Sequence, residues 1–163
     1  MTSYRDQQYN QRGHNNRSNN QRYSGGRNNR NAELPDGYLA KGYYKDSNKK
    51  ILYPEYIITY PKEIVRELTR DSSKNKSSQL RRYYEYTVRI KDRLRQTNTT
   101  FQELESEIGR LIPFAEYALN RNKVTVYFKK FIEKNVNNIH DEKDFMAFAK
   151  HFEAIIANLP KEK

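Results

Sequence analysis

The sequence predicts an all-α protein: an antiparallel bundle of five helices, or six, preceded by an extended or hairpin arm and a disordered N-terminal tail. Three observations predict it. Beyond Pro61, apolar residues recur at the three- and four-residue spacing of a buried helix face. Ser, Thr and Asp residues stand just ahead of the apolar runs, where helix caps belong. The connections between runs are short and polar, as between antiparallel neighbours. The expected organisation is a tail over residues 1–32, an arm over 33–60 and a helical bundle over 61–163.

Residues 1–32 contain no Val, Ile, Leu or Phe. Without apolar surface to bury, such a segment cannot offset the entropy of ordering. Arg5, Arg12, Arg17, Arg22, Arg27 and Arg30 alternate with Tyr4, Tyr9 and Tyr23. That composition suits either a solubility tail or one that slides on RNA without sequence preference.

In the arm, Leu34-Pro35-Asp36-Gly37 is a turn signal. Residues 38–44 and 51–60 flank the polar run Lys45-Asp46-Ser47-Asn48-Lys49, as in a short hairpin or an extended arm. Tyr38, Tyr43, Tyr44, Tyr53, Tyr56 and Tyr60 are more than a solvated loop needs. They are expected to pack on the helical body or on a partner.

Pro61 suits a first helical position and Glu63 the positive end of a helix dipole. Ile64, Val65 and Leu68 then give a short helix ending near Arg70. Ser77 or Ser78 is the expected cap of a second helix running to about Arg95. Its buried stripe is Leu80, Tyr83, Thr87, Ile90 and Leu94, widened by Tyr84 and Val88. Thr99 or Thr100 caps a third helix, with Glu103 at capping-box distance from Thr100. Phe101, Leu104, Ile108, Leu111, Ile112, Ala115 and Leu119 continue its apolar face past Pro113, so the proline is expected to kink this helix rather than end it. A fourth helix carries Val124, Tyr127, Phe128, Phe131 and Ile132 and is expected to fray through Asn135-Val136-Asn137-Asn138. Asp141 caps a fifth, with Phe145, Phe148, Phe152, Ile155 and Leu159 at heptad spacing.

The chain carries a net charge of +11, unevenly spread. Residues 1–32 contribute +5 and residues 62–95 contribute +6, while 33–61 and 96–163 are balanced. A polyanion is the partner such a patch attracts, with salt-dependent affinity. There is no Cys, which excludes disulfides and thiolate metal sites. No apolar N-terminal segment or long apolar run suggests secretion or membrane spanning, so a cytoplasmic protein is expected. Catalysis finds no support. His14, His140 and His151 are far apart, no Gly-rich phosphate loop occurs, and no nucleophile has a base beside it. Glu103, Glu105 and Glu107 read as solvated carboxylates. Neither enzyme activity, cofactor nor metal is expected.

On a wheel at about 100° per residue, Arg82, Arg89 and Arg93 fall in a narrow arc opposite the buried stripe of the second helix, beside Tyr86. Arg81 and Arg95 flank the stripe from its other edge. An ordinary exposed face with ion pairs such as Glu85–Arg89 would look similar. The arginines outnumber the two acids, Glu85 and Asp92, beyond simple pairing, and the guanidinium fork fits phosphate oxygens. Arg121 and Lys123 lie at the turn after the third helix, where they could reach a phosphate or bind that helix's last carbonyls. The candidate RNA-binding set is Arg81, Arg82, Arg89, Arg93, Arg121 and Lys123.

The run Ser77-Ser78-Gln79-Leu80-Arg81-Arg82-Tyr83-Tyr84 resembles a segment of the small helical subunit of type III-A CRISPR effector (Csm) complexes. Leu111-Ile112-Pro113-Phe114-Ala115-Glu116-Tyr117-Ala118 with Arg121 is similar to a second stretch of that family, with Tyr117 one place late. Phe145 through Phe152-Glu153-Ala154-Ile155-Ile156-Ala157 resembles its ending, and Gly42-Tyr43-Tyr44 with Pro54-Glu55-Tyr56-Ile57 an arm of some members. The resemblance spans residues 38–159. It implies a non-catalytic protein of five or six helices that self-associates in several copies beside the other Csm subunits and the guide-RNA ribonucleoprotein. It implies contact with target-RNA phosphates without sequence reading, with Arg81 and Arg121 the matched positions. The alternative expectation is a free-standing RNA or DNA chaperone acting mainly through the basic tail.

Overall fold

The computed structural model describes residues 33–96 and 98–161. The expectations for residues 1–32 lie outside them. The described residues form six α-helices: α1 (Tyr60–Leu68), α2 (Ser77–Arg95), α3 (Phe101–Gly109), α4 (Leu111–Asn120), α5 (Val126–Val136) and α6 (Glu142–Ala157). A single 3-10 turn, Pro54–Tyr56, precedes them. Helix α6 packs against α1 and α2, α4 against α5, and α3 bridges α2 to α4.

The core follows the heptad stripes. Leu80, Tyr83, Thr87, Ile90 and Leu94 of α2 are all buried, and the Thr87 hydroxyl donates to the Tyr83 carbonyl at 3.0 Å. Facing them on α5 and α6, Phe128, Phe131, Phe145, Phe148 and Phe152 are fully buried. Their rings meet at 5.6 Å between Phe131 and Phe152 and 5.6 Å between Phe148 and Phe152. Burying each such ring contributes about 1.5–3 kcal/mol.

Two expected caps form. Thr100 and Glu103 make the reciprocal capping box of α3, and Asp141 accepts from the Asp144 amide at the start of α6. Thr100→Ala is expected to lower stability by about 1 kcal/mol in a denaturant titration.

Three local expectations are corrected. Ser77 and Ser78 do not cap α2: they are its first two residues, and Lys76 occupies the cap position without a side-chain cap. Asn75, held at φ 50°, sets the entry instead. The predicted third helix is two helices, because the break falls at Gly109–Arg110 rather than as a kink at Pro113. Pro113 has no amide to donate to the Gly109 carbonyl and its ring crowds that oxygen. As the third residue of α4, it needs no amide partner. The fourth predicted helix starts later than Val124 and does not fray at Asn135. Thr125 caps α5 by accepting from the Phe128 amide at 3.3 Å, and Asn135 is helical and fully buried.

Asn135 is held because the arm packs into the bundle. Tyr44 and Leu52 form a single antiparallel bridge, flanked by Lys45 N–H to Ile51 C=O (2.8 Å) and Tyr53 N–H to Tyr43 C=O (2.9 Å). Tyr38, Tyr43 and Tyr56 are buried against the helices. The Tyr43 hydroxyl donates to Asn135 Oδ1 at 2.8 Å, and Asn135 Nδ2 reaches the Phe131 carbonyl at 2.7 Å and the Tyr38 hydroxyl at 2.9 Å. His151 completes the chain. Its Nδ1 faces the Tyr56 carbonyl, which can only accept, so Nδ1 carries the proton. Its Nε2 then accepts from the Tyr38 hydroxyl at 2.7 Å. At the tip, Lys49 pairs with Asp141 at 2.6 Å and with the buried Asp144 at 2.7 Å.

Candidate nucleic-acid interface

A groove of about 460 Å³ runs between α2 and α4. Arg82 and Arg89 from α2, and Arg121 and Lys123 from the turn after α4, line it together with Tyr86, Phe114 and Tyr117. Among the described residues, no carboxylate lines it.

Two tyrosines build the α2 wall. The Tyr83 hydroxyl donates to the Phe114 carbonyl at 2.8 Å, and the Tyr86 hydroxyl to the Glu107 carbonyl at 2.9 Å. Burial raises both hydroxyls above the ordinary tyrosine range, so both remain protonated donors. These bonds tie α2 to the α3–α4 corner. The Tyr86 ring stands edge-on to Phe114 at 5.4 Å and 80°.

The other wall depends on how α4 ends. Asn122 at φ 56° lets its amide donate to the Leu119 carbonyl at 2.9 Å, and the Lys123 amide to the Ala118 carbonyl at 2.9 Å. This Schellman turn satisfies the last carbonyls of α4 with backbone amides. Arg121 and Lys123 are therefore not needed as cation caps, one of the two roles their position suggested. Asn75 locks the turn to α2: its amide donates to the Lys123 carbonyl at 2.9 Å, and its Nδ2 to the Leu68 carbonyl and Thr125 Oγ1, each at 2.9 Å. The Thr125 amide returns a bond to Asn75 Oδ1 at 3.0 Å.

The six candidate residues divide. Arg82, Arg89, Arg121 and Lys123 converge on the groove. Arg93, one turn beyond Arg89, is exposed and bonded to both Glu107 carboxylate oxygens at 2.6 and 2.7 Å. An exposed pair of this kind is worth about 0–1 kcal/mol, so a phosphate could displace Glu107. Arg81 is exposed and absent from the groove lining, about 100° around α2 from Arg82.

Sequence reasoning placed Tyr86 beside the α2 arginines but missed Phe114 and Tyr117 across from it. Three arginine–aromatic pairs follow the groove and its rim: Arg89 over Tyr86 (5.7 Å), Arg110 over Phe114 (5.1 Å) and Arg121 over Tyr117 (5.1 Å). The Arg–aromatic spacings of three or four residues along each helix were a signal that could have found them. Among the described residues, no group of His, Cys, Asp and Glu could hold a metal ion, and no helix is long and apolar enough to cross a membrane.

A family model described as Csm2 Type III-A matches residues 53–158. No curated protein and no solved structure matches the chain. The matched stretch runs from the arm through all six helices and contains the whole groove. The chain belongs to the Csm2 Type III-A family, the small helical structural subunit of the type III-A CRISPR Csm complex.

Proposed function

We propose that this chain is a non-catalytic RNA-binding subunit that holds target RNA through its phosphates in the α2–α4 groove. Several copies stack within the complex, beside the other Csm subunits and the guide RNA. One observation carries the reading: four cations from two elements converge on one groove that, among the described residues, no carboxylate lines. Such a surface attracts the phosphate backbone and carries no base-specific information, so guide pairing supplies specificity. Arg82, Arg89 and Arg121 offer forks for phosphate oxygens and Lys123 a point charge. Arg81 belongs to this reading only as a contact on a different face of α2.

Purification of the tagged chain from its host tests the assignment. A guide RNA and the other Csm subunits are expected to accompany it, and a complex rebuilt without the chain is expected to retain target RNA less well. A lone monomer carrying no RNA would overturn the proposal.

A further inference from the structure

The groove contains more than phosphate binding requires. A purely electrostatic surface needs cations and no rings. Tyr117 is nevertheless 62% exposed, while its neighbours on α4, Ala115 and Ala118, are buried. The Tyr117 ring adds nothing to the core that would explain a large aromatic there. It is also held in place: Arg121 lies over the ring at 5.1 Å from its centroid and donates to its hydroxyl. Across the groove, the Tyr86 ring is fixed by its bond to the Glu107 carbonyl and carries Arg89. The volume of about 460 Å³ falls within the range of small-ligand pockets, so a nucleotide fits.

We propose that Tyr117 is a stacking platform for one unpaired base of single-stranded RNA, whose flanking phosphates rest on Arg82, Arg89 and Arg121. Exposed aromatics beside arginines take bases of any identity, because every base presents a π-face. The phosphate and base contacts are coupled through Arg121, which touches the ring and faces the groove. This inference rests on the phosphate reading above and adds the base to it. It assigns Tyr117 to binding, a role that the charge pattern of the chain could not show.

The test compares two probes of equal length and charge on the full-length chain: a single-stranded oligouridylate, and the same ribose-phosphate chain without bases. The wild type is expected to bind the oligouridylate about 5- to 150-fold more tightly, the range of one stacked base. Tyr117→Leu is expected to reduce that preference, and Tyr117→Phe, which keeps the π-face and loses the hydroxyl bonded by Arg121, to retain it. Equal binding of the two probes by the wild type overturns the stacking inference, as does an unchanged preference in Tyr117→Leu. A loss in Tyr117→Phe as large as in Tyr117→Leu also overturns it, assigning the ring to positioning Arg121. The phosphate reading survives each of those results if Arg82→Ala and Arg89→Ala weaken both probes. If the arginine replacements leave both probes unaffected, the phosphate reading fails and the stacking inference fails with it.

Discussion

Replacing His151 by Ala is expected to destabilise the fold by about 3–5 kcal/mol, read from denaturant unfolding. Two costs add. The ring is fully buried, with centroids 5.3 Å from Tyr56, 5.7 Å from Tyr38 and 6.0 Å from Phe131, so its removal leaves a cavity. It also leaves the Tyr38 hydroxyl and the Tyr56 carbonyl without their imidazole partners. The Tyr38 hydroxyl would keep only Asn135. A loss below about 1 kcal/mol would mean that the arm is not seated on α6 as described.

The same residue makes stability pH-dependent. Burial pushes the His151 imidazole down to about 4 from an ordinary 6.5. In the unfolded chain it takes up a proton as pH falls through about 6.5, while in the folded protein it stays neutral to about 4. The unfolded state therefore binds more protons across that window, and stability is full above it and declines as pH falls through it. The shift corresponds to roughly 3 kcal/mol at most. His151→Ala removes this component, so the gap in stability between wild type and variant is expected to narrow from pH 7 to pH 4. A gap constant with pH would show that the ring is not held neutral.

Much of the bundle was legible because its signals are local. The α2 stripe from Leu80 to Leu94 buries as its heptad spacing requires, and Thr100 and Asp141 cap the helices they precede. What escaped depends on distant partners. Asn135 reads as a helix breaker among other asparagines, and only Tyr38 and Tyr43, more than ninety positions earlier in the chain, make it a buried anchor. His151 looks incidental beside Phe152 until the arm brings it Tyr38 and Tyr56. The α3–α4 break needed the steric link between Pro113 and Gly109 to outweigh a continuous apolar pattern. At the candidate interface, a wheel of α2 alone placed Arg82, Arg89 and Arg93 together beside Tyr86. It could not show that α4 stands opposite with Phe114 and Tyr117, nor that Glu107 engages Arg93. Arg81, which pattern and resemblance both favoured, is left out of the groove lining, as is Arg93.

The second large effect concerns RNA. Arg82, Arg89 and Arg121 come from two elements fixed together by Asn75 and by the Tyr83 and Tyr86 hydroxyls, so they act as one surface. Replacing all three by Ala should cost at least tenfold in affinity, since hydrogen bonds to charged groups are worth about 1.5–3 kcal/mol each. Helix content should be unchanged, because all three side chains are exposed. The slope of log affinity against log salt separates lost phosphate contacts from a lost fold. Each contact to a single strand contributes about 0.7 to that slope, so removing three should flatten it by about 2. Measured on the full-length chain with single-stranded RNA, a flattening of that size with circular dichroism unchanged is the predicted result. An unchanged slope and affinity would contradict the α2–α4 groove as the RNA-holding face.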